Sequence, residues 1–214
     1  QPTPPPATPT HPLSSAASDV YKRQSQDTAE LFFNNVTVPK ENLLGEWNKG
    51  FYHLMTSLVE ERLLAAVGFT ANAQAAFDVT LDYINERKAF GQPIAEFQNT
   101  RFQMASMRTE LDVAQAFVDE CVLRHNEGKL SVEDAAKAKL FTSEVEARVT
   151  DECVQLHGGA GYMEEYPICD LYLNARVSRI YAGTSEIMRE IVARSIGLDP
   201  RARQKKPTAT EQAA

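Results

Sequence analysis

Cysteine is scarce in this sequence, and the little there is makes no motif. Cys121, Cys153 and Cys169 are odd in number and widely spaced, with no CxxC pair. That pattern excludes a disulfide framework or a zinc site as the organising device, and it favours a reducing, intracellular setting. Also missing is any apolar run near the ~20 residues a transmembrane helix requires. The chain does not open on a positive segment followed by an apolar stretch, the pattern of a secretory signal. Basic charge is in deficit: 22 Lys and Arg against 29 Asp and Glu give a formal net charge of −7. Nucleic acid as the main partner needs a basic face, so the charge argues against it.

What is present is an ordinary globular balance, 43% apolar and 24% charged over 214 residues, suited to one domain or two small ones. Residues 1–24 are rich in Pro, Ser, Thr and Ala and have little to bury. They are expected to be disordered, and they look foreign to the rest of the chain, as a cloning or sequence-assembly scar would. From Ala29, "AELFFNNVTVP" predicts one or two short strands closed by Pro39. Long helical patterns come next, over about 50–87, 96–126 and 131–157, with a shorter one over 168–177 and a last one after the glycine of "YAGTSE". Ser131 and Asp134 have capping-box spacing, and Gly128, Gly158-Gly159 and Gly197 are stop signals. Long amphipathic helices with short links predict an antiparallel bundle. The tail over 199–214 is expected to be flexible.

Four stretches could carry chemistry. In "LMTSLVEERLLAA", helical spacing puts Phe51, Leu54, Leu58 and Ala65 on one apolar stripe, Glu60 opposite, and Glu61 and Arg62 at its edges. A carboxylate beside a buried face holds its proton more tightly and can serve as a base near neutral pH. A boundary glutamate paired with Arg62 or a neighbouring helix fits equally, and spacing alone favours that plainer role. "RKAFG", residues 87–91, is either a well-made helix end or a phosphate contact through Arg87. In "QLHGGAGYMEEYP", residues 155–167, three glycines allow close backbone approach to a ligand, or simply a helix stop and tight turn. It is not the GxGxxG dinucleotide motif, because no strand precedes it. In "YAGTSE", Gly183 or Thr184 would cap the last helix, whose free N–H groups attract phosphates and carbonyl oxygens. Cys121 and His125 stand one helical turn apart with no further ligand group nearby, so they read as packing and no metal site is expected.

Taken together and in order, "RKAFG", "QLHGGAGYMEEYP" and "IYAGTSEIMREIVAR" resemble the C-terminal region of the acyl-CoA dehydrogenases. "ELFFNNVTVPKENLLGE" resembles the last part of that family's middle β-domain. The resemblance covers roughly residues 29–198. It implies an all-α fold, an antiparallel helical bundle over 48–198, preceded over 25–47 by a short β-strand remnant of the middle domain. It also implies an FAD-dependent oxidation of acyl-CoA thioesters to trans-2-enoyl-CoA, with electrons passed to an electron-transferring flavoprotein. A homotetramer built as a dimer of dimers, in bacterial cytoplasm or the mitochondrial matrix, belongs to the same expectation. An acyl-CoA oxidase-like relative and a non-catalytic helical assembly module are the alternatives.

The resemblance assigns residues by position. Many members carry the catalytic glutamate just before the glycine of "YAGTSE", where this sequence has Ala182. The isovaleryl-CoA and long-chain branches place it instead on the first long helix, as Glu-Arg-Leu, which here is Glu61-Arg62-Leu63. Glu61 is therefore the candidate base and Arg62 its substrate-side neighbour. Arg87 and Gln98 resemble residues that hold the FAD pyrophosphate and adenosine side from a partner subunit. Gln155, Leu156, His157, Gly158 and Gly159 resemble a second FAD contact across that interface. Thr184, Ser185 and Glu186 resemble the segment at the flavin's phosphates and ribityl chain. Ala182 and Gly183 resemble the substrate-binding turn, whose N–H at Ala182 bonds the thioester carbonyl. The sequence departs from the pattern at Val59, where many members have Asp. It also lacks the N-terminal helical domain and most of the β-domain, so it reads as a C-terminal fragment that need not be active in isolation.

Overall fold

The computed structural model describes residues 32–201, which divide into two compact units with the boundary between Asn48 and Lys49. Among the described residues of the first unit, no strand forms over 32–39. The expected β remnant is absent there for a physical reason. A strand is stable only when a neighbour pairs its N–H and C=O groups, and Asn35, at φ 50°, turns the chain out of the extended region. Phe32, Phe33, Val36 and Val38 are exposed, and the one regular element among the unit's described residues is a 3-10 turn over Lys40–Asn42. The expectations for 1–24, and for all of the tail beyond residue 201, lie outside the described residues.

The second unit is a helical bundle. Helix α1 spans Gly50–Glu86, α2 Gln98–Asn126, α3 Val132–His157, α4 Pro167–Arg176 and α5 Ser185–Ser195. Two caps anticipated from the sequence are made. The Ser131 hydroxyl accepts from the Asp134 N–H at 3.0 Å, and the Thr184 hydroxyl accepts from the Ile187 N–H at 3.3 Å. The break "AFGQPI" is a miniature hairpin, with β1 (Lys88–Ala89) pairing antiparallel to β2 (Gln92–Pro93). Its turn residues Phe90 and Gly91 both have positive φ, 53° and 84°, as tight hairpin turns of this length require.

Two apolar clusters fix the helix directions. Leu63 in the first half of α1 packs with Val118 and Cys121 near the end of α2 and Ala138 near the start of α3. Ile84 near the end of α1 shares a second cluster with Met104 of α2, Val149 and Cys153 of α3, and Ile168 of α4. Consecutive helices from α1 to α4 therefore run antiparallel, and α1 and α3, which pack on each other, run parallel. The α1–α3 contact is lined by small residues, Ala66, Ala73 and Ala76 on one side and Ala135 and Ala138 on the other, all fully buried. Small side chains bring the two axes close and align long stretches of both helices. Buried threonines do not break the seam. Thr70 and Thr80 donate back to the Ala66 and Ala76 carbonyls, so neither hydroxyl is left unpaired. All three cysteines are buried and free.

The first turns of α1 differ from expectation. Phe51 and Leu54, placed by their spacing on the apolar stripe, are 69% and 68% exposed, and continuous burial begins only at Arg62 and Leu63.

Candidate functional site

The chain between α4 and α5 passes through a 3-10 turn, Val177–Arg179, and then reverses at Ala182 and Gly183, whose φ values are 55° and 104°. Gly183 suits such a backbone at no cost, but Ala182 does not. Both carbonyls of the turn are held from below. Arg62 Nε donates to the Ala182 carbonyl at 3.3 Å, and Lys139 Nζ donates to the Gly183 carbonyl at 2.6 Å. Lys139 is fully buried and Arg62 is 5% exposed. Burial pushes the Lys139 ammonium down to about 8; Glu144 opposes that shift and Arg62 adds to it. Burial also lowers the Arg62 guanidinium, against the pull of Glu61. The Lys139 ammonium lies 6.0 Å from the centre of the Phe69 ring, which meets Tyr181 edge-on at 5.4 Å. The Ala182 N–H has no backbone acceptor among the described residues.

Glu61 sits next to Arg62 on α1, so the structure brings the segment of the candidate base to the Ala182 turn. Its own side chain is exposed, however, and the burial expected at the edge of the apolar stripe is not there within this chain.

On the far side of the turn, Glu144 of α3 gathers the start of α5. Its carboxylate accepts from Ser185 Oγ at 2.8 Å and from Arg179 and Arg189 at 3.3 Å each. Ser185 is buried with its hydroxyl so engaged, Thr184 caps the helix, and Glu186 is exposed. The Glu186 carboxyl is held below the usual range by its own backbone N–H and the Thr184 hydroxyl. In front of these residues lies a polar cleft of ≈ 330 Å³, lined also by Arg176, Arg179 and Arg189. Arg179 Nε is buried there without a hydrogen-bond partner. A helix N-terminus, three arginines and an orphaned guanidinium N–H fit a phosphate-bearing cofactor such as FAD.

The remaining candidates lie at the opposite end of the bundle. Arg87 caps the end of α1, Gln98 begins α2, residues 155–157 end α3, and Gly158 and Gly159 open the 3-10 turn that follows. His157 is buried, stacked on Tyr83 at 4.1 Å, and its Nδ1 lies 2.8 Å from the Cys153 carbonyl. Nδ1 must therefore carry a proton, and burial holds the imidazole below its ordinary value. His157 is thus a structural anchor, helped by the Tyr83 hydroxyl, which donates to the His157 carbonyl at 3.3 Å. Arg87, Gln98, Gln155, Gly158 and Gly159 are exposed and open to a ligand. Arg62 and Arg87 are separated along α1 by about seven helical turns, roughly 37 Å. The structure therefore assembles the candidates into two groups rather than one.

Sequence reasoning missed Lys139, Glu144 and Arg179. A signal for Lys139 existed. Ala135, Lys139, Thr142, Glu146, Val149 and Cys153 repeat at alternating spacings of four and three, so a lysine stands on the buried seam of α3. Among the described residues, no cluster of His, Cys, Asp or Glu could hold a metal, and no helix is long and apolar enough to cross a membrane.

Residues 48–197 match the acyl-CoA dehydrogenase C-terminal domain. The chain is 48% identical over 176 residues to the long-chain specific acyl-CoA dehydrogenase of Mus musculus, covering 82% of this chain and 41% of that protein. The crystal structure of an acyl-CoA dehydrogenase from Geobacillus kaustophilus superposes with a TM-score of 0.78 at 47% identity, over 81% of this chain and 46% of that one. A structure of the electron transferring flavoprotein of Acidaminococcus fermentans gives 0.77 at 39% identity, over 81% and 46%. The chain thus spans less than half the length of the relatives it matches. On the extent of that match, from the first long helix to the end of α5, the chain belongs to the acyl-CoA dehydrogenase family.

Proposed function

We propose that this chain forms the C-terminal bundle of an FAD-dependent acyl-CoA dehydrogenase. The observation that carries the reading is the Ala182 turn, where two buried cations hold both carbonyls and leave the Ala182 N–H without a backbone acceptor among the described residues. An N–H presented in this way suits a thioester carbonyl, which gains negative charge as the α-proton leaves. Glu61, carried to the turn by its neighbour Arg62, is the proposed base. Its exposure in this chain leaves it open to a substrate that would bury it. FAD, when bound, supplies the acceptor for the β-hydrogen and its electron pair. Thr184, Ser185 and Glu186 would hold its phosphate and ribityl region beside the arginine-lined cleft. Arg87, Gln98 and residues 155–159 would hold the adenosine side of an FAD belonging to a second copy, since α1 keeps them far from the turn. An electron-transferring flavoprotein is the proposed electron acceptor, and the mitochondrial matrix or bacterial cytoplasm suits that role.

The test is Glu61→Gln in the FAD-loaded protein. Acyl-CoA-dependent bleaching of the flavin should slow by at least the order of 10²- to 10⁴-fold expected of a lost general base, while FAD stays bound. Undiminished turnover would remove Glu61 from the reaction. Oxygen consumption during turnover would identify an oxidase instead. A folded, self-associating protein that takes up no FAD would show an assembly module.

A further inference from the structure

We propose that Lys139 is a positioning residue for the reaction: its buried ammonium holds the Gly183 carbonyl and so keeps the Ala182 N–H aimed at the substrate's thioester carbonyl. This rests on the acyl-CoA reading of the Ala182 turn and adds to it a residue that none of the motifs contains.

The peptide that carries the Ala182 N–H is clamped on both sides. Upstream, the Tyr181 N–H donates to the Val177 carbonyl at 3.2 Å, and the Tyr181 ring packs on Phe69. Downstream, Arg62 takes the Ala182 carbonyl and Lys139 takes the Gly183 carbonyl. A peptide unit is planar, so fixing the units on either side leaves little rotation in the one between. Held this way, Ala182 stays in a left-handed conformation that an alanine would otherwise leave at a gain of about 1–2 kcal/mol. Met188 closes the remaining space: a Cβ built on Gly183 would come within 2.6 Å of Met188 Cε.

Packing alone does not account for the lysine. A fully buried ammonium is costly to desolvate, and a methionine would fill the same slot on α3 without that cost. What the lysine adds is a charge-assisted bond to one carbonyl and, with Arg62, positive charge beneath a turn that faces a developing oxyanion.

The experiment uses the FAD-loaded protein and a 2-enoyl-CoA carrying 13C at the thioester carbonyl. In the wild type, binding should move that carbon resonance downfield as the carbonyl is polarised. No shift in the wild type would overturn the acyl-CoA reading and this inference with it. Lys139→Met should lose most of the shift and slow acyl-CoA-dependent flavin reduction by the order of 10²-fold, with FAD content and helicity kept. Lys139→Gln, which retains a donor, should recover part of both. A wild-type shift and rate in Lys139→Met would overturn the role of Lys139 and leave the acyl-CoA reading standing. Should both variants fail to fold, the wild type still decides: a scalar coupling across the hydrogen bond from Lys139 Nζ to the Gly183 carbonyl carbon is expected, and its absence overturns the proposal.

Discussion

Glu144→Gln is the perturbation whose effect can be worked through most fully. One carboxylate on α3 receives the Ser185 hydroxyl at 2.8 Å and the Arg179 and Arg189 guanidinium groups at 3.3 Å each. It therefore ties α3 both to the 3-10 turn before the Ala182 reversal and to the first turn of α5. Burial raises this carboxyl's proton affinity, but the Ser185 hydroxyl and the two arginines outweigh it, so the group ends below the ordinary glutamate value. Glutamine keeps the shape and one acceptor oxygen. The Ser185 bond falls from charge-assisted to neutral strength, a loss of roughly 1 kcal/mol. Each arginine is partly exposed, so each pair is worth about 0–1 kcal/mol. The total is about 1–3 kcal/mol, and for a protein of this size each kcal/mol moves the midpoint by roughly 2–4 °C.

The assay is thermal unfolding followed by far-UV circular dichroism, for both proteins at pH 7 and then at falling pH. The folded carboxyl titrates below the unfolded one, whose value is about 4.3. Its contribution is therefore complete above that value and disappears as pH falls through the lower folded value. The gap in midpoint between wild type and Glu144→Gln should be several degrees at pH 7 and close in acid, where the wild-type side chain is itself neutral. A gap that is absent at pH 7, or that persists or widens in acid, would refute the electrostatic account of this junction.

Two further outcomes rest on the same geometry. Between pH 8 and 10.5 the wild type should gain stability relative to Lys139→Met: the unfolded lysine, titrating near 10.4, still holds the proton that the folded amine, at about 8, has released, so the unfolded state binds more protons and the wild-type urea midpoint rises with pH. Midpoints that stay parallel across that range would show an amine charged throughout. Gly161→Ala should cost about 1–3 kcal/mol, since its Cβ would lie 2.8 Å from the Val154 carbonyl oxygen. Gly159→Ala meets nothing within 4 Å and should leave the thermal midpoint near wild type while weakening FAD retention on gel filtration. Equal destabilisation by both substitutions would count against the clash.

The helices were legible because their ends are written in local chemistry. Ser131 and Thr184 cap, Gly128 and Gly197 stop, and the α1, α3 and α4 boundaries fall within a residue or two of where those signals put them. The β remnant was not legible, because a strand is a statement about its neighbours, and "FFNNVTV" carries strand-forming residues whether or not a partner is present. The exposure of the Glu61 side chain was not legible for a related reason. Periodicity reveals which face is apolar, not where along a helix burial starts, and no residue of α1 before Arg62 is fully buried. Lys139 was hidden by the opposite error: a charged residue is read as solvent-facing by default, and its acceptor lies 44 residues further along the chain.

The length of α1 explains why motifs that belong together in order did not assemble into one site. Apart from the Glu61-Arg62 stretch, each motif marks a helix end, and helix ends are where backbone N–H groups, carbonyls and tight glycine turns are available to a ligand. In an antiparallel bundle those ends fall into two sets on opposite poles. The Arg62, Lys139 and Ala182 group belongs to one, and Arg87, Gln98 and His157 to the other, with about seven turns of helix between them. On the proposed reading the poles are complementary rather than redundant: one carries the carbonyl-binding turn and the arginine-lined cleft, the other an exposed arginine and a glycine turn anchored by Tyr83 and His157. Neither pole alone encloses a dinucleotide. Completing the site then requires surfaces beyond this one bundle, and the rigid span of α1 sets how far apart those surfaces must be.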